Sequence, residues 1–225
     1  MSQPFKNKMN GKVARYVYNR IWKRLTYAQR YYMPIYNEFG RIVIDDARID
    51  EACNAYFKWK DLNTYISDNS HRGINMPDAI SEPMGCYCLG FEWNRGNEVG
   101  DATAPDGRKI EFKATSRFKG DLSSFGPKCQ FDDLVFLRFN INENLLFIYD
   151  LNINSEDFGK YPANKTETIQ DQKNQGRRPH VSLQTLFVDA KQLEPNVIFD
   201  IRRCKAYDCL TDHYKKFIKL CKNDG

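Results

Sequence analysis

Glu98-Val99-Gly100-Asp101-Ala102-Thr103-Ala104-Pro105-Asp106-Gly107-Arg108-Lys109-Ile110-Glu111-Phe112-Lys113-Ala114-Thr115-Ser116 has a turn at its centre. In Pro105-Asp106-Gly107 the proline presets φ, the aspartate bonds back to the backbone and the glycine accepts the left-handed position, so the flanking arms form a tight hairpin. Symmetric pairing about Asp106 sets Ala104 opposite Arg108 and Asp101 opposite Glu111, and cross-strand partners project to the same side of a sheet, about 5 Å apart at Cβ. Lys113, two residues beyond Glu111, shares that side. Ile110, Phe112 and Ala114 make the other face of the second arm, the one expected to be buried. Two carboxylates and an ammonium therefore converge on one face.

Such a cluster suits a hard divalent cation, because Mg²⁺ takes oxygen ligands, keeps several waters, and needs only one or two carboxylates beside a substrate phosphate. A neighbouring lysine then positions or deprotonates an attacking water. The competing reading is a surface hairpin with a solvated salt bridge, and a bare Asp, gap, Glu-x-Lys pattern does not separate the two. The surroundings help. Asp171-Gln172-Lys173 lies in a polar segment without strand character, and Asp189-Ala190-Lys191 has no hairpin partner carrying a second acid. Only the first pattern has strand, turn and strand around it.

With 225 residues the chain is long enough for one domain with a substantial core. Its 34 lysines and arginines against 29 acids leave +5, a modest excess that is informative because it clusters at both ends and around residues 173–178. No apolar run approaches the ~18 residues of a membrane span, and the basic, polar N-terminus lacks a signal-peptide core, so a soluble intracellular protein is expected. The 7 cysteines are an odd number without a Cys-x-x-Cys pair; they read as reduced, mostly buried thiols. His71, His180 and His213 are scattered, which argues against histidine-led catalysis.

Val13, Val17, Ile21 and Leu25 recur at intervals that predict an amphipathic basic helix over residues 12–25. It is either an ordinary surface helix or one that meets phosphates or a second subunit. A tyrosine-rich connection with Pro34 follows. Asp45 or Asp46 caps a second helix through about Ile66, with Ile49, Ala52, Tyr56, Trp59 and Ile66 approximating one stripe. After a polar loop, a shorter helix begins near Pro77. Glu82 sits near its start, as a surface residue favoured by the helix dipole or as a third carboxylate aimed at the cation; the sequence alone favours the surface. Residues 120–128 read as a flexible Ser, Gly and Pro loop. Residues 134–139 and 145–149 then make two strands, the first apolar enough to be covered on both faces.

Residues 152–180 are polar and without periodicity, and supply Lys173, Gln175, Arg177 and Arg178. Arg and Gln make the bidentate contacts to guanine and adenine edges, so this segment is either a base-reading element or a solvated basic loop. A strand over residues 197–201 and a terminal amphipathic helix containing Tyr214, Phe217, Ile218 and Cys221 close the chain. Helices before and after the strands imply an α/β protein of α+β type, with a central mixed sheet of four or more strands flanked by helices.

Taken together these segments resemble the PD-(D/E)xK nucleases, whose hairpin carries Asp, a gap, and Glu-x-Lys, matched here by Asp101, Glu111 and Lys113. A closer likeness lies in the series Arg72-Gly73-Ile74-Asn75-Met76-Pro77 with Ile80-Ser81-Glu82, the hairpin, Ser123-Ser124-Phe125-Gly126-Pro127-Lys128, and Gln172-Lys173-Asn174-Gln175-Gly176-Arg177-Arg178-Pro179. Over roughly residues 70–185 it is similar to the small type II restriction endonucleases that cut GCNGC sites.

The resemblance implies a restriction-endonuclease-like core and a bacterial, cytoplasmic, Mg²⁺-dependent homodimer that cleaves double-stranded DNA at a short symmetric site. It assigns Asp101 and Glu111 to the metal and Lys113 to the water, and raises Glu82 as an additional acid. Lys128, Lys173, Gln175, Arg177 and Arg178 become candidate DNA contacts on their side-chain chemistry. The expected organisation is one catalytic domain over residues 1–225: a helical addition (1–67), the nuclease core with its hairpin (77–151), a DNA-recognition region (152–185), and a final strand and helix (186–225). A repair or transposon-end nuclease, or a non-catalytic DNA-binding protein, is the alternative; the last of these predicts salt-sensitive binding without cleavage.

Overall fold

The computed structural model describes residues 40–70, 72–95, 99–118 and 120–209. The basic helix expected over residues 12–25, the tyrosine-rich connection and the terminal helix lie outside these. Strand β1 (Ile42–Val43) leads into helix α1 (Asp46–Asn69), which Asp45 caps by accepting the Arg48 N–H at 2.9 Å. Ile49, Ala52, Cys53, Tyr56 and Trp59, at helical spacing, bury one stripe of α1. Helix α2 (Asp78–Leu89) starts after Pro77 and stops at Gly90.

Strands β2 (Glu92–Trp93), β3 (Ala102–Thr103), β4 (Lys109–Thr115), β6 (Asp133–Asn140), β7 (Leu145–Asp150), β9 (Val197–Asp200) and β10 (Lys205–Cys209) join β1 in an eight-stranded sheet of order β1-β2-β3-β4-β6-β7-β9-β10. Only β4 and β6 run parallel; the other neighbours are antiparallel. Central β6 is buried along nearly its whole length and divides the interior in two. Val135, Leu137 and Phe139 face the core shared with α1 and α2, whereas Leu134 and Phe136 face a second core with Phe125, Phe158, Ile169, Leu183 and Phe187. The mixed sheet between helical layers is the expected α+β arrangement, with more strands than the sequence alone counted. Among the described residues no helix is long and apolar enough to cross a membrane.

Two segments differ from expectation. Residues 120–128 contain β5 (Ser123–Ser124), paired antiparallel with β8 (His180–Val181), so the connection between the parallel strands is pinned rather than a flexible loop. Residues 152–180 contain helices α3 (Ser155–Gly159) and α4 (Ile169–Asn174). Side-chain caps build them where apolar periodicity is absent: Asn154 accepts from Asp157 N, and Thr168 and Asp171 form a reciprocal capping box. A π-helical turn (Gln184–Asp189) follows.

The contact of α2 with the sheet rests on Gly85. A Cβ there would lie 2.9 Å from Phe112 Cε1 and 3.3 Å from Leu137 Cδ1. Gly85→Ala is therefore expected to destabilise the protein by about 1–3 kcal/mol through overpacking, although alanine is the better helix former. A raised denaturation midpoint for this variant would contradict that packing.

Candidate active site

The hairpin has the register that its turn chemistry predicts. Ala102 pairs with Ile110 and Thr103 with Lys109, symmetric about Asp106, and Ala104 N donates to Arg108 O at 2.9 Å. Gly107 adopts φ +90°, and Asp106 accepts the Arg108 N–H at 3.3 Å, confirming it as a turn residue. On β4, Ile110 and Phe112 are buried in the first core, while Glu111 and Lys113 pair with Leu134 and Phe136 of β6 and share their face. Gly100, at φ +78°, lets the chain leave the ladder where a Cβ would stand 2.8 Å from Ile110 O. Asp101 N then donates to Ile110 O at 2.7 Å, and the Asp101 carboxylate turns to accept Phe112 N at 2.7 Å.

Glu111 and Lys113 form an ion pair whose side chains are 12 % and 21 % exposed. The ammonium also lies 5.2 Å from the Phe125 ring centroid, so β5's segment forms a wall of the site. Burial works to lower the Lys113 pKa, but the charge and hydrogen bond of Glu111, with Asp101, outweigh it and hold the group above its ordinary value. Burial followed by the charge of Glu111 pushes Asp101 up to about 6, against the pull of the Phe112 N–H and Lys113.

Glu82 is the main correction at the site. It is half-buried rather than on the surface, and its carboxylate accepts Trp93 Nε1 at 2.6 Å. Burial and the charge of Asp101 push it up to about 8, against the pull of the Trp93 hydrogen bond. Close packing of α2 at Gly85 carries the helix onto β4 and the acid into the cluster. Three carboxyl groups thus gather about one ammonium, and burial together with their mutual repulsion holds Glu82 and Asp101 above their ordinary pKa values.

Among the described residues no three His, Cys, Asp or Glu side chains form a preassembled metal cage. That donor set suits a cation that keeps much of its water and is completed by substrate oxygens.

The other sequence candidates separate. Lys128 and Arg178 are exposed. Lys173, expected at DNA, is 9 % exposed and donates to Cys129 O at 2.7 Å, so it ties α4 to the segment beside the site. Burial and the nearby charge of Glu111 push the adjoining Cys129 thiol up to about 12. Gln175 and Arg177 are exposed and both bond to Glu167, a residue the sequence reading passed over. Trp93 was also missed, since a tryptophan in a two-residue strand carries no periodic signal.

A mixed sheet bearing two acids and a lysine on a hairpin, beside a segment rich in exposed Gln and Arg, has the parts of a nuclease. The family model of the Bsp6I restriction endonuclease matches residues 44–190, a span holding every site residue described above. Over 165 residues, 73 % of this chain and 94 % of the relative, the sequence is 44 % identical to the type II restriction enzyme Bsp6I of Bacillus sp. (strain RFL6). The chain belongs to the Bsp6I restriction endonuclease family, and its activity is site-specific cleavage of DNA. The match begins before α1, so that helix, whose buried stripe belongs to the first core, is part of the family's shared region and the likeness extends beyond residues 70–185.

Proposed function

We propose that this protein is a Mg²⁺-dependent homodimer of the bacterial cytoplasm that hydrolyses one phosphodiester bond in each strand of a short symmetric site, and that Asp101, Glu111 and Lys113 carry the chemistry. The convergence of these three on the hairpin, inside the span shared with the family, is the observation that carries the reading. Asp101 and Glu111 fit as metal ligands: burial, and then the charge of Glu111, already raise the Asp101 pKa. A Mg²⁺ ion held there would supply charge neutralisation at the phosphate and activation of the attacking water. Lys113, kept protonated by its carboxylate neighbours, serves as a donor to that water or to the phosphate oxygens rather than as a base. The Phe125 ring under the ammonium restricts where it can point.

The proposed target is a GCNGC-type site, on the likeness of residues 72–77, 123–128 and 172–179. Arg177 and Arg178 suit it, because bidentate arginine contacts to guanine are the commonest specific readout in the major groove. Gln175 joins them, and Lys128 would meet phosphates. Digestion of a plasmid with purified protein and Mg²⁺, followed by sequencing of the ends, addresses activity, site and stagger together. Discrete fragments with uniform ends are expected; salt-sensitive binding with no cleavage under any divalent ion would overturn the reading.

Glu82 is proposed as an additional acid at the site. Its folded pKa of about 8 lies above the ordinary 4.5, so the fold holds the proton more tightly than the unfolded chain does. This contribution is fully present below the unfolded value and is lost as pH rises through about 8. Glu82→Gln, which mimics the protonated acid, is expected to flatten the fall in melting temperature between pH 5 and 8 in chelator-treated protein. Parallel pH profiles for the two proteins would place the acid in solvent instead.

A further inference from the structure

Glu167 organises the segment to which base reading is assigned. It lies in a tight loop, closed by a bridge between Pro162 and Thr168, just before α4. Its carboxylate accepts Asn164 Nδ2 at 2.9 Å, Gln172 Nε2 at 3.1 Å and Gln175 Nε2 at 3.3 Å, and pairs with Arg177. Hydrogen bonds from Asn164, Arg177 and Gln172 hold its pKa down to about 2, so the charge is permanent. Arg177 is in turn oriented: Nε donates to Gln175 Oε1 at 3.0 Å and Nη2 to Glu167. One edge of the guanidinium is thus occupied by protein, which leaves the Nη1 and Nη2 end for two parallel hydrogen bonds to a planar acceptor pair. The Arg177 side chain is 46 % exposed and that of Glu167 25 %, so the reader is accessible and its holder lies behind it.

We propose that Glu167 is a positioning residue for target recognition: it fixes Gln175 and Arg177 in one array that presents the end of the guanidinium to base edges, and it withholds Arg177 from promiscuous contact with phosphates. This rests on the base-reading role proposed for Gln175 and Arg177. An arginine without such a partner can swing to any phosphate, which raises affinity for every sequence equally and discriminates none. A fixed carboxylate beside it repels the DNA backbone, so the cost of approach is recovered only where bases satisfy the array.

The experiment uses the full chain with Glu167→Gln, Glu167→Asp, Arg177→Ala and the Glu167→Gln/Arg177→Ala double variant. Each is assayed on a duplex carrying the site found by end sequencing, on duplexes with one base pair of that site changed, and on random-sequence DNA across a salt series. Glu167→Gln is expected to lower kcat/KM on the intact site by about tenfold or more. Cleavage of the altered sites should stay unchanged, and random DNA should bind more tightly with a salt slope steeper by about one. In the Arg177→Ala background the same change should cost the intact site clearly less than it does in the wild type, the remainder coming through Gln175 and the lost carboxylate charge.

Glu167→Asp keeps the charge and should retain the wild-type salt slope, and it provides the comparison if the glutamine variant melts early. Equal loss on all duplexes with unchanged random binding, or additive effects of the two residues, would overturn the role of Glu167. If Arg177→Ala itself loses equally on intact and random DNA, base reading by Arg177 fails. If Arg177→Ala abolishes discrimination while Glu167→Gln preserves it, only the role of Glu167 falls.

Discussion

Lys113→Ala is expected to lower Mg²⁺-dependent cleavage by about 10³-fold or more, the effect of losing several kcal/mol of transition-state stabilisation at roughly 1.4 kcal/mol per tenfold. Binding of the specific duplex should persist, because the candidate base contacts Gln175, Arg177 and Arg178 lie just after α4, not on β4. The size follows from where the ammonium sits: between Glu111, its ion-pair partner, and the Phe125 ring, it is held on the same face as the acids. A protonated group in that position acts on charge that develops at the phosphate, and alanine removes both the charge and the donor.

Glu111→Ala should be as severe for a different reason, since it removes one of two proposed ligands and leaves the Lys113 ammonium without its carboxylate. Glu111→Gln separates these two losses, keeping the side-chain volume and an acceptor for Lys113. Single-turnover cleavage and gel-shift affinity on one duplex measure both steps. Mg²⁺-dependent cutting by the Lys113 variant at near wild-type rate would remove lysine from the mechanism.

How much of the structure the sequence carries follows the range of the interactions involved. The hairpin register depends on three consecutive turn residues, and the pairing of Ala102 with Ile110 and of Thr103 with Lys109 follows from it. Continuous apolar character likewise marked β6 as covered on both faces. Glu82 was misjudged because its burial depends on Gly85 meeting Phe112 and on Trp93, neither of which leaves a periodic trace around the glutamate. Lys173 was misjudged because a basic residue among glutamines and arginines looks solvated. Its acceptor is a backbone carbonyl 44 residues away. The same polar composition concealed two helices that are started by side-chain caps, and a carboxylate at their centre that collects the very groups proposed to meet DNA.

Asp121 is a residue whose loss should cost heavily in stability. It is 5 % exposed, and its carboxylate accepts Ser182 Oγ at 2.6 Å, Leu183 N at 2.8 Å, Gln184 N at 3.1 Å and Ser123 Oγ at 3.3 Å. The two backbone donors open the π-helical turn, and the two hydroxyls lie on either side of the β5 and β8 pairing. Two-residue strands of this kind have too few ladder bonds to hold together alone, so the carboxylate fixes their register. Asp121→Ala would strand two backbone N–H groups and the Ser123 hydroxyl, while Ser182 keeps its bonds to Thr185, for a loss of about 3–4 kcal/mol. For a chain of this length that corresponds to a fall of roughly 6–16 °C in melting temperature. Asp121→Asn is expected to recover only part of it, because the amide must turn an NH₂ towards donors. The damage should reach catalysis, since Phe125, whose N–H bonds to Pro179 O at 3.1 Å, stands under Lys113 and is carried by the pinned segment. Cleavage below the melting transition should therefore fall along with stability. A melting temperature within about 2 °C of wild type would mean that the two segments are held by their apolar core alone.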